Sequence, residues 1–361
     1  MKYGAIIAAV IAVLLIAAIA YFALQPPAAP MPTASPSPPT TPTPTQTPTA
    51  TPQMRYTVII ATGGVGGVYY YYGGVIAGIL KNFTNIDASS IQTAASIDNL
   101  LLIRDKTDPG RGLYYCGTVL PDSAYLAYTG QHDKFKDKPA PIAILWAMYP
   151  NYLHIVTRSD SGVKTIYDLK GKRVSTGAPG SGTEVEALLL LQALGIDPAK
   201  DFAKWERLGA AESANALRDG TIDAYFWSGG LPTSSVVELG AALKQRGVSL
   251  VLIEVPDEVA TQFFAKFPGL ASKSVIPKTI YGTDKDVQTL AFWNMFVCHK
   301  DMPEDLAYQI TKTVFDRLDI LQKSIAAAKD TNLQNALLYY GGTIPYHPGA
   351  LRYYREKGVL K

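Results

Sequence analysis

From residue 55 onward, short apolar runs alternate with amphipathic ones, and clusters of glycine, proline and aspartate separate them. Residues 55–62, rich in Val, Ile and Thr, read as a buried strand. The loop Gly63-Gly64-Val65-Gly66-Gly67 follows, and then a helical stretch over 68–83. A second unit of this kind starts with a strand at 173–176. It passes through Gly177-Ala178-Pro179-Gly180-Ser181-Gly182 into a helix that ends near Leu194. Thr183 with Glu186 three residues on forms a capping box, which predicts that this helix starts at Thr183. Further strands are expected at 141–147, 153–157, 224–227 and 250–254. Helices are expected at 96–104, 167–169, 212–219, 234–245 and 303–328. Strands alternating with helices predict α/β lobes with mainly parallel sheets. No internal repeat of fixed period is visible.

The N-terminus follows a different pattern. Residues 5–24 are 20 consecutive apolar positions without a charge, enough for about 30 Å of helix, the hydrocarbon thickness of a bilayer. Tyr3, Tyr21 and Phe22 suit the interfacial belt, and Lys2 favours a cytoplasmic N-terminus. A cleaved signal peptide, with Ala18-Ile19-Ala20 at its cut, is the alternative. Residues 25–53 hold 11 Pro, 8 Thr and 2 Ser and no charge. Such a segment buries no core and stays extended, over roughly 90 Å at most. A stalk of this kind is useful when its near end is held, so an uncleaved anchor is the expectation, with the folded part on the extracytoplasmic face. No cysteine follows the apolar run, so lipid cannot be attached there.

Composition narrows the function. The 361 residues, 48% hydrophobic and 17% charged, suffice for two lobes, each with its own core. Beyond Lys2 the charges nearly balance and form no basic block, so nucleic acid is not an expected partner. Cys116 and Cys298 lie 182 positions apart in apolar stretches. Buried free thiols are the expected reading, and a single long-range disulfide is the alternative in an oxidising compartment. No Cys-x-x-Cys pair is present, and His132, His154, His299 and His347 are scattered, so neither a metal site nor a redox motif is expected. No cofactor is expected.

The two glycine loops carry the candidate chemistry. A glycine turn lets backbone approach a ligand, and the helix behind it offers unpaired N–H groups and partial positive charge. Two such units, one per lobe, could hold one carboxylate or phosphate between them. Neither loop is a dinucleotide fingerprint, because Tyr69 and Val185 stand where the last glycine is required. In the run Tyr69-Tyr70-Tyr71-Tyr72 at most one or two rings can face a cleft. For an enzyme, Glu184 and Asp122 are the only carboxylates to nominate for cleft chemistry.

Five motifs in order resemble the TAXI family of substrate-binding subunits, which serve ion-driven TRAP transporters. They are Thr62-Gly63-Gly64-x-Gly66-Gly67-x-Tyr69-Tyr70, Asp160-Ser161-Gly162 through Asp168-Leu169-Lys170-Gly171-Lys172-Arg173-Val174, Gly177-x-Pro179-Gly180-Ser181-Gly182-Thr183-Glu184, Asp219-Gly220-x-Ile222-Asp223-Ala224, and His347-Pro348-Gly349-Ala350. The resemblance covers about 55–359. It implies a type II periplasmic-binding-protein fold, two α/β lobes hinged around a solute. Residues 55–150 and 254–361 would form the first lobe and 151–253 the second. The hinges would lie near 149–152 and 253–256. By the same resemblance Gly63, Gly64, Tyr69, Ser96 and Asn99 would line the cleft from the first lobe, with Asp122 and Tyr149. Ser181, Gly182, Thr183 and Glu184 would line it from the second, with Trp227, Gly230 and Pro232 nearby. Leu120 departs from the family's usual Gln two positions before the aspartate, which alters the expected polarity of the ligand. The implied partners are a small, carboxylate-bearing solute and the permease subunits of a TRAP-type transporter. A receptor of the same fold for an ATP-driven importer or a sensor is the alternative, and an enzyme using the cleft is the more distant one.

Overall fold

Strand β1 (Thr57–Ala61) runs parallel to β2 (Asp87–Ile91) on one side and β3 (Leu113–Val119) on the other. Helices α1 (Val68–Phe83), α2 (Ser96–Lys106) and α3 (Pro121–Tyr128) cover these strands. They come from a computed structural model, which describes residues 55–360. The expected anchor and stalk fall outside the described residues. Among the described residues no helix is long and apolar enough to cross a membrane. The tyrosine run divides as helical spacing demands. Tyr69 and Tyr72 are buried, whereas Tyr70 and Tyr71 are 37% and 45% exposed. Tyr72 Oη shares a hydrogen bond with Thr331 Oγ1 and accepts one from Trp146 Nε1, so the buried hydroxyl is satisfied.

Two long antiparallel strands, β4 (Ile142–Arg158) and β10 (Val287–His299), run through the centre of the sheet. The expected strands at 141–147 and 153–157 are therefore one, continuous through the segment read as a hinge loop. Tyr149 and its neighbours are buried, and where the ladder register skips Met148 and Tyr149 their carbonyls accept from Thr331 Oγ1 and Asn294 Nδ2. Pro150 lies opposite Trp293, next to a register shift between Trp293 and Met295, where a missing N–H is tolerated. Strand β10 escaped the sequence reading because residues 290–298 are apolar except for Asn294 and show no alternation, as befits a strand buried on both faces. The expectation of mainly parallel sheets is corrected. The sheet is mixed, parallel at its two ends and antiparallel around β4 and β10.

The far half of β4 pairs with β7 (Ala224–Gly229) and β8 (Leu250–Leu252). Strand β7 continues in parallel to β5 (Arg173–Ser175) and then β6 (Lys204–Glu206), and β9 (Ser272–Ile276) pairs with β10. This half carries α4 (Gly182–Ala193), α5 (Ala210–Arg218), α6 (Ser234–Gln245) and α7 (Asp257–Lys266). One core layer joins Ile155, Val174, Leu190, Phe226 and Phe263, and another joins Val156, Leu217, Tyr225 and Leu239. Ile253, Val255, Val259, Phe263, Leu290 and Phe292 all pack into the first of these layers. The chain after 253 thus stays with the second lobe until β10 carries it back, and the second crossing falls near 292–295 instead of 253–256. Helices α8 (Glu304–Asp316) and α9 (Pro348–Glu356) then complete the core of the first lobe with Leu306, Ile310, Val314 and Tyr353. The expected single helix over 303–328 breaks at Arg317, which leaves the helical region at φ −121° and ψ 24°.

Cys116 of β3 and Cys298 of β10 face each other in the antiparallel ladder with Cα atoms 4.0 Å apart, and they form a disulfide. The reading of buried free thiols is corrected accordingly. The pairing was invisible in the sequence because β10 itself was.

Candidate functional site

Between the lobes lies a cavity of about 490 Å³. The first lobe contributes Gly63, Gly64, Gly67, Val68, Tyr69, residues 92–96 and Leu120. The second contributes Gly177, Ala178, Ser181, Gly182, Thr183, residues 208–210, Glu212, Trp227, Ser228 and Gly229. Tyr149 and Asn151 of the crossing strand β4 complete the lining. Glu212 is the only charged side chain among these residues, and none of them is Lys, Arg or His.

The N-terminus of α4 opens onto this cavity. Its cap is Ser181, whose Oγ accepts the Glu184 N–H at 3.1 Å, two residues earlier than the expected Thr183 box. Glu186, the supposed partner in that box, points into the interior and is fully buried. Thr183 Oγ1 accepts the Ser228 N–H at 3.2 Å. Each hydroxyl therefore serves the fold as an acceptor and keeps its own O–H to donate. With the first amides of α4, these donors suit an oxygen anion.

Nine of the residues expected at the cleft surround this cavity: Gly63, Gly64, Tyr69, Ser96, Tyr149, Ser181, Gly182, Thr183 and Trp227. Five do not. Asn99 is buried, donates to the carbonyls of Thr62 and Thr118 and accepts from Thr93, tying β1 to β3. Glu184 turns back to accept the Gly180 N–H at 3.1 Å and pairs with Arg207. Asp122 lies buried at the start of α3. Gly230 packs against Tyr149 and Ala327, and Pro232 follows it across a cis peptide bond. His154 is also structural. Burial pushes its imidazole down to about 4, and Nδ1 lies 2.7 Å from the Tyr152 carbonyl.

The two glycine loops meet the opposite lobe reciprocally. Gly180, at φ +82°, presents its carbonyl to the Ile97 N–H of α2 at 3.1 Å. Gly66, at φ +84°, presents its carbonyl to Ser234 Oγ of α6 at 3.0 Å. These conformations suit glycine, which has no Cβ to clash at positive φ. Gly182 has a different reason to be glycine. A Cβ there would collide with Leu120 and lie 2.6 Å from Ser96 Oγ, both in the first lobe. The lobes are therefore closed on each other around the cavity.

A model of the NMT1-like family matches residues 60–358. The chain belongs to the NMT1-like family. Two solved structures are similar to this NMT1-like chain. The periplasmic binding protein BugD shares 11% identity over 85% of this chain and 95% of its own, with a TM-score of 0.52. A binding-protein component of an ABC phosphonate transporter from Pseudomonas aeruginosa shares 11% identity over 76% of this chain and 79% of its own, with a TM-score of 0.50. These likenesses concern the fold, a two-lobed α/β arrangement with a mixed sheet.

Sequence reasoning missed residues 92–95, the 208–210 loop, Glu212 and Asn151. The loop at 92–95 follows β2, whose Asp87-Ala88-Ser89-Ser90-Ile91 carries no apolar strand signal. Asn151 was hidden by the split reading of β4. A signal for Glu212 was present: an acid in the first turn of an expected helix beside Gly209.

Proposed function

We propose that this chain is an extracytoplasmic solute-binding receptor that captures a small carboxylate-bearing ligand and hands it to a membrane permease. The observation that carries this reading is the closed interlobe cavity, lined from both sides and crossed by reciprocal loop-to-helix hydrogen bonds. Membership of the NMT1-like family and the two-lobed fold support it. Neither Glu184 nor Asp122 lines the cavity, so the acid–base pair that an enzyme reading required is not assembled there.

The ligand's carboxylate is assigned to the N-terminus of α4, with the Ser181 and Thr183 hydroxyls as donors. Without a basic side chain in the lining, the cavity suits one carboxylate better than a multiply charged anion. Glu212 offers an acceptor for an amine or hydroxyl on the same solute. The five sequence motifs that resemble the TAXI family support a TRAP-type permease as the partner. The apolar run 5–24 would tether the receptor outside the membrane, and residues 25–53 would give it reach. A binding protein serving an ATP-driven importer is the second reading, favoured by the fold shared with the phosphonate-transporter component.

A thermal-shift screen of monocarboxylates, amino acids, keto acids, dicarboxylates and phosphonates tests the ligand class, because a solute that binds only the folded state raises its melting temperature. Monocarboxylates or amino acids are expected to shift it. A response confined to dicarboxylates or phosphonates contradicts the assignment. Reconstitution with candidate permeases then separates the partners: uptake should follow an ion gradient and not need ATP.

A further inference from the structure

Two buried carboxyl groups, neither lining the cavity, lie on helices packed against each other across the contact between the lobes. Asp122 is the second residue of α3, whose Ala124 and Ala127 pack in the core of the first lobe. Glu186 lies on α4, whose Ala187 and Leu190 pack in the core of the second. The two helices pack together, and both side chains are fully buried. Neither oxygen of Glu186 has a hydrogen-bond partner, and neither has Asp122 Oδ2. Asp122 Oδ1 accepts only the N–H of Ser123, at 2.6 Å. Around them the hydroxyls of Ser123, Tyr149 and Ser228 are buried and unpartnered as well. Two bare carboxylates in such a place would leave two charges unpaired, which a folded protein does not sustain.

The surrounding elements provide no cation. Tyr69 of α1 faces both carboxyls and Tyr339 faces Asp122, each as a phenol, and Tyr69 donates to Asn294 of β10. Asn294 in turn donates to Asn151 at 2.8 Å, and Ser228 of β7 stands beside Glu186. The basic groups on neighbouring elements are engaged elsewhere. Arg104 of α2 is bound to Asp105, Arg158 of β4 to Asp160, Arg207 to Glu184, and Lys266 of α7 to the Gln192 carbonyl. His154 bonds within β4 and His299 accepts from the Asp301 N–H. Among the described residues no third His, Cys, Asp or Glu joins the pair in a metal-binding group.

We propose that Asp122 and Glu186 hold a proton between them when the lobes are closed, so that closure of the cleft takes up a proton from solvent. The proton adds to one carboxylate oxygen and no other bond changes. Burial raises Asp122 to about 7, and burial together with Asp122 raises Glu186 well above the usual carboxyl range. Once the lobes part, water reaches the pair and both acids return toward ordinary values near 4. The raised groups favour the closed form fully below about pH 4, and this contribution is lost as pH rises through about 7 and above. For each proton taken up, the closing equilibrium weakens about tenfold per pH unit between the open-form titration at about 4 and the raised closed-form titration, and is flat above the latter. The link to closure rests on the receptor reading given above, whereas the shared proton stands without it.

The experiment uses the full chain without ligand and has two readouts. Infrared spectroscopy from about pH 5 to about pH 9 follows the carbonyl stretch of a protonated, buried carboxylic acid. Hydrogen exchange at the Ile97 amide, corrected for the intrinsic pH dependence of exchange, follows lobe separation. The expected result is an acid band present at low pH and lost on titration, absent or shifted in both Glu186→Gln and Asp122→Asn. Ile97 protection should fall by at least about tenfold per pH unit between the open-form and closed-form titrations in the wild type, and stay flat when Glu186→Gln is combined with Asp122→Asn. No acid band at low pH, or a band untouched by either substitution, overturns the shared proton. A band that behaves as expected with pH-independent Ile97 protection overturns its link to closure and leaves the receptor reading standing. Should either variant fail to fold, carbon-13 labelling of aspartate carboxyls in the wild type reads the same titration.

Discussion

The carbonyl of Gly180 accepts the backbone N–H of Ile97 at 3.1 Å, and with that bond the loop ahead of α4 rests on the N-terminus of α2. The loop leads into α4, whose core differs from that of α2, so the bond exists only while the lobes are together. A helix N-terminus is a natural seat for a carbonyl oxygen, and each lobe offers one to the other's glycine loop. Ligand that touches both loops would add to this contact, which is how a solute favours closure.

Gly182 is the position at which this contact is most easily spoiled. Gly182→Val should fold, because the side chain has room once the lobes part, but closure should be blocked by Leu120 and Ser96. Affinity for the screened solute should drop by at least about tenfold, roughly 1.4 kcal/mol. Calorimetric titration measures it, and a variant that binds as tightly as the wild type would remove Gly182 from the closing surface.

The Ser181 and Thr183 hydroxyls are assigned as ligand donors. Ser181→Ala with Thr183→Val should weaken binding by at least tenfold, since hydrogen bonds to a charged group are worth about 1.5–3 kcal/mol each. Ser181→Ala should also cost about 1 kcal/mol of stability through the lost cap, and Thr183→Val alone should not affect that cap. Melting curves of the single variants, beside binding curves of the double one, separate the two effects.

The disulfide closes a 182-residue separation between Cys116 and Cys298. Replacing both by serine should cost about 2–5 kcal/mol of stability. Denaturant melts of the oxidised, reduced and doubly substituted chains measure this. Identical midpoints for oxidised and reduced protein would show that the two thiols do not pair.

Elements with local signals were legible in the sequence. Helices α1 and α6 begin and end where loops and polar breaks said they would, because those cues are contained in the segments themselves. The glycine loops were legible for the same reason. Strand β10 and the true length of β4 were not, since a strand buried on both faces has no alternation and Pro150 reads as a break. With β10 missing, the disulfide, the second crossing and the extent of the second lobe could not be placed. In the site, the sequence named side chains by motif but could not tell which way they point. Glu184, Asn99 and Asp122 sit in motif positions yet turn to the backbone or the interior. Thr183 and Ser181 compete for one cap, and only the three-dimensional position of Ser228 shows why Ser181 takes it and Thr183 does not.

The strand crossings at β4 and β10 imply a hinge made of two paired strands, with Asn294 bridging them through the Tyr149 carbonyl at 2.7 Å and the Asn151 side chain. Asn294→Ala removes both bonds and the acceptor of Tyr69, and it should destabilise the chain by about 1–3 kcal/mol. A thermal melt reads this directly, and an unchanged midpoint would mean that the crossing strands hold without it.

Small-angle scattering with and without a solute that raises the melting temperature is the most direct test of the receptor account. A free chain that samples an open form should show a fall in radius of gyration when the solute is added, because the lobes close around it. The Gly182→Val variant should show no such fall. Scattering that is identical with and without saturating solute, already matching the closed form, would contradict a receptor that opens to load and release.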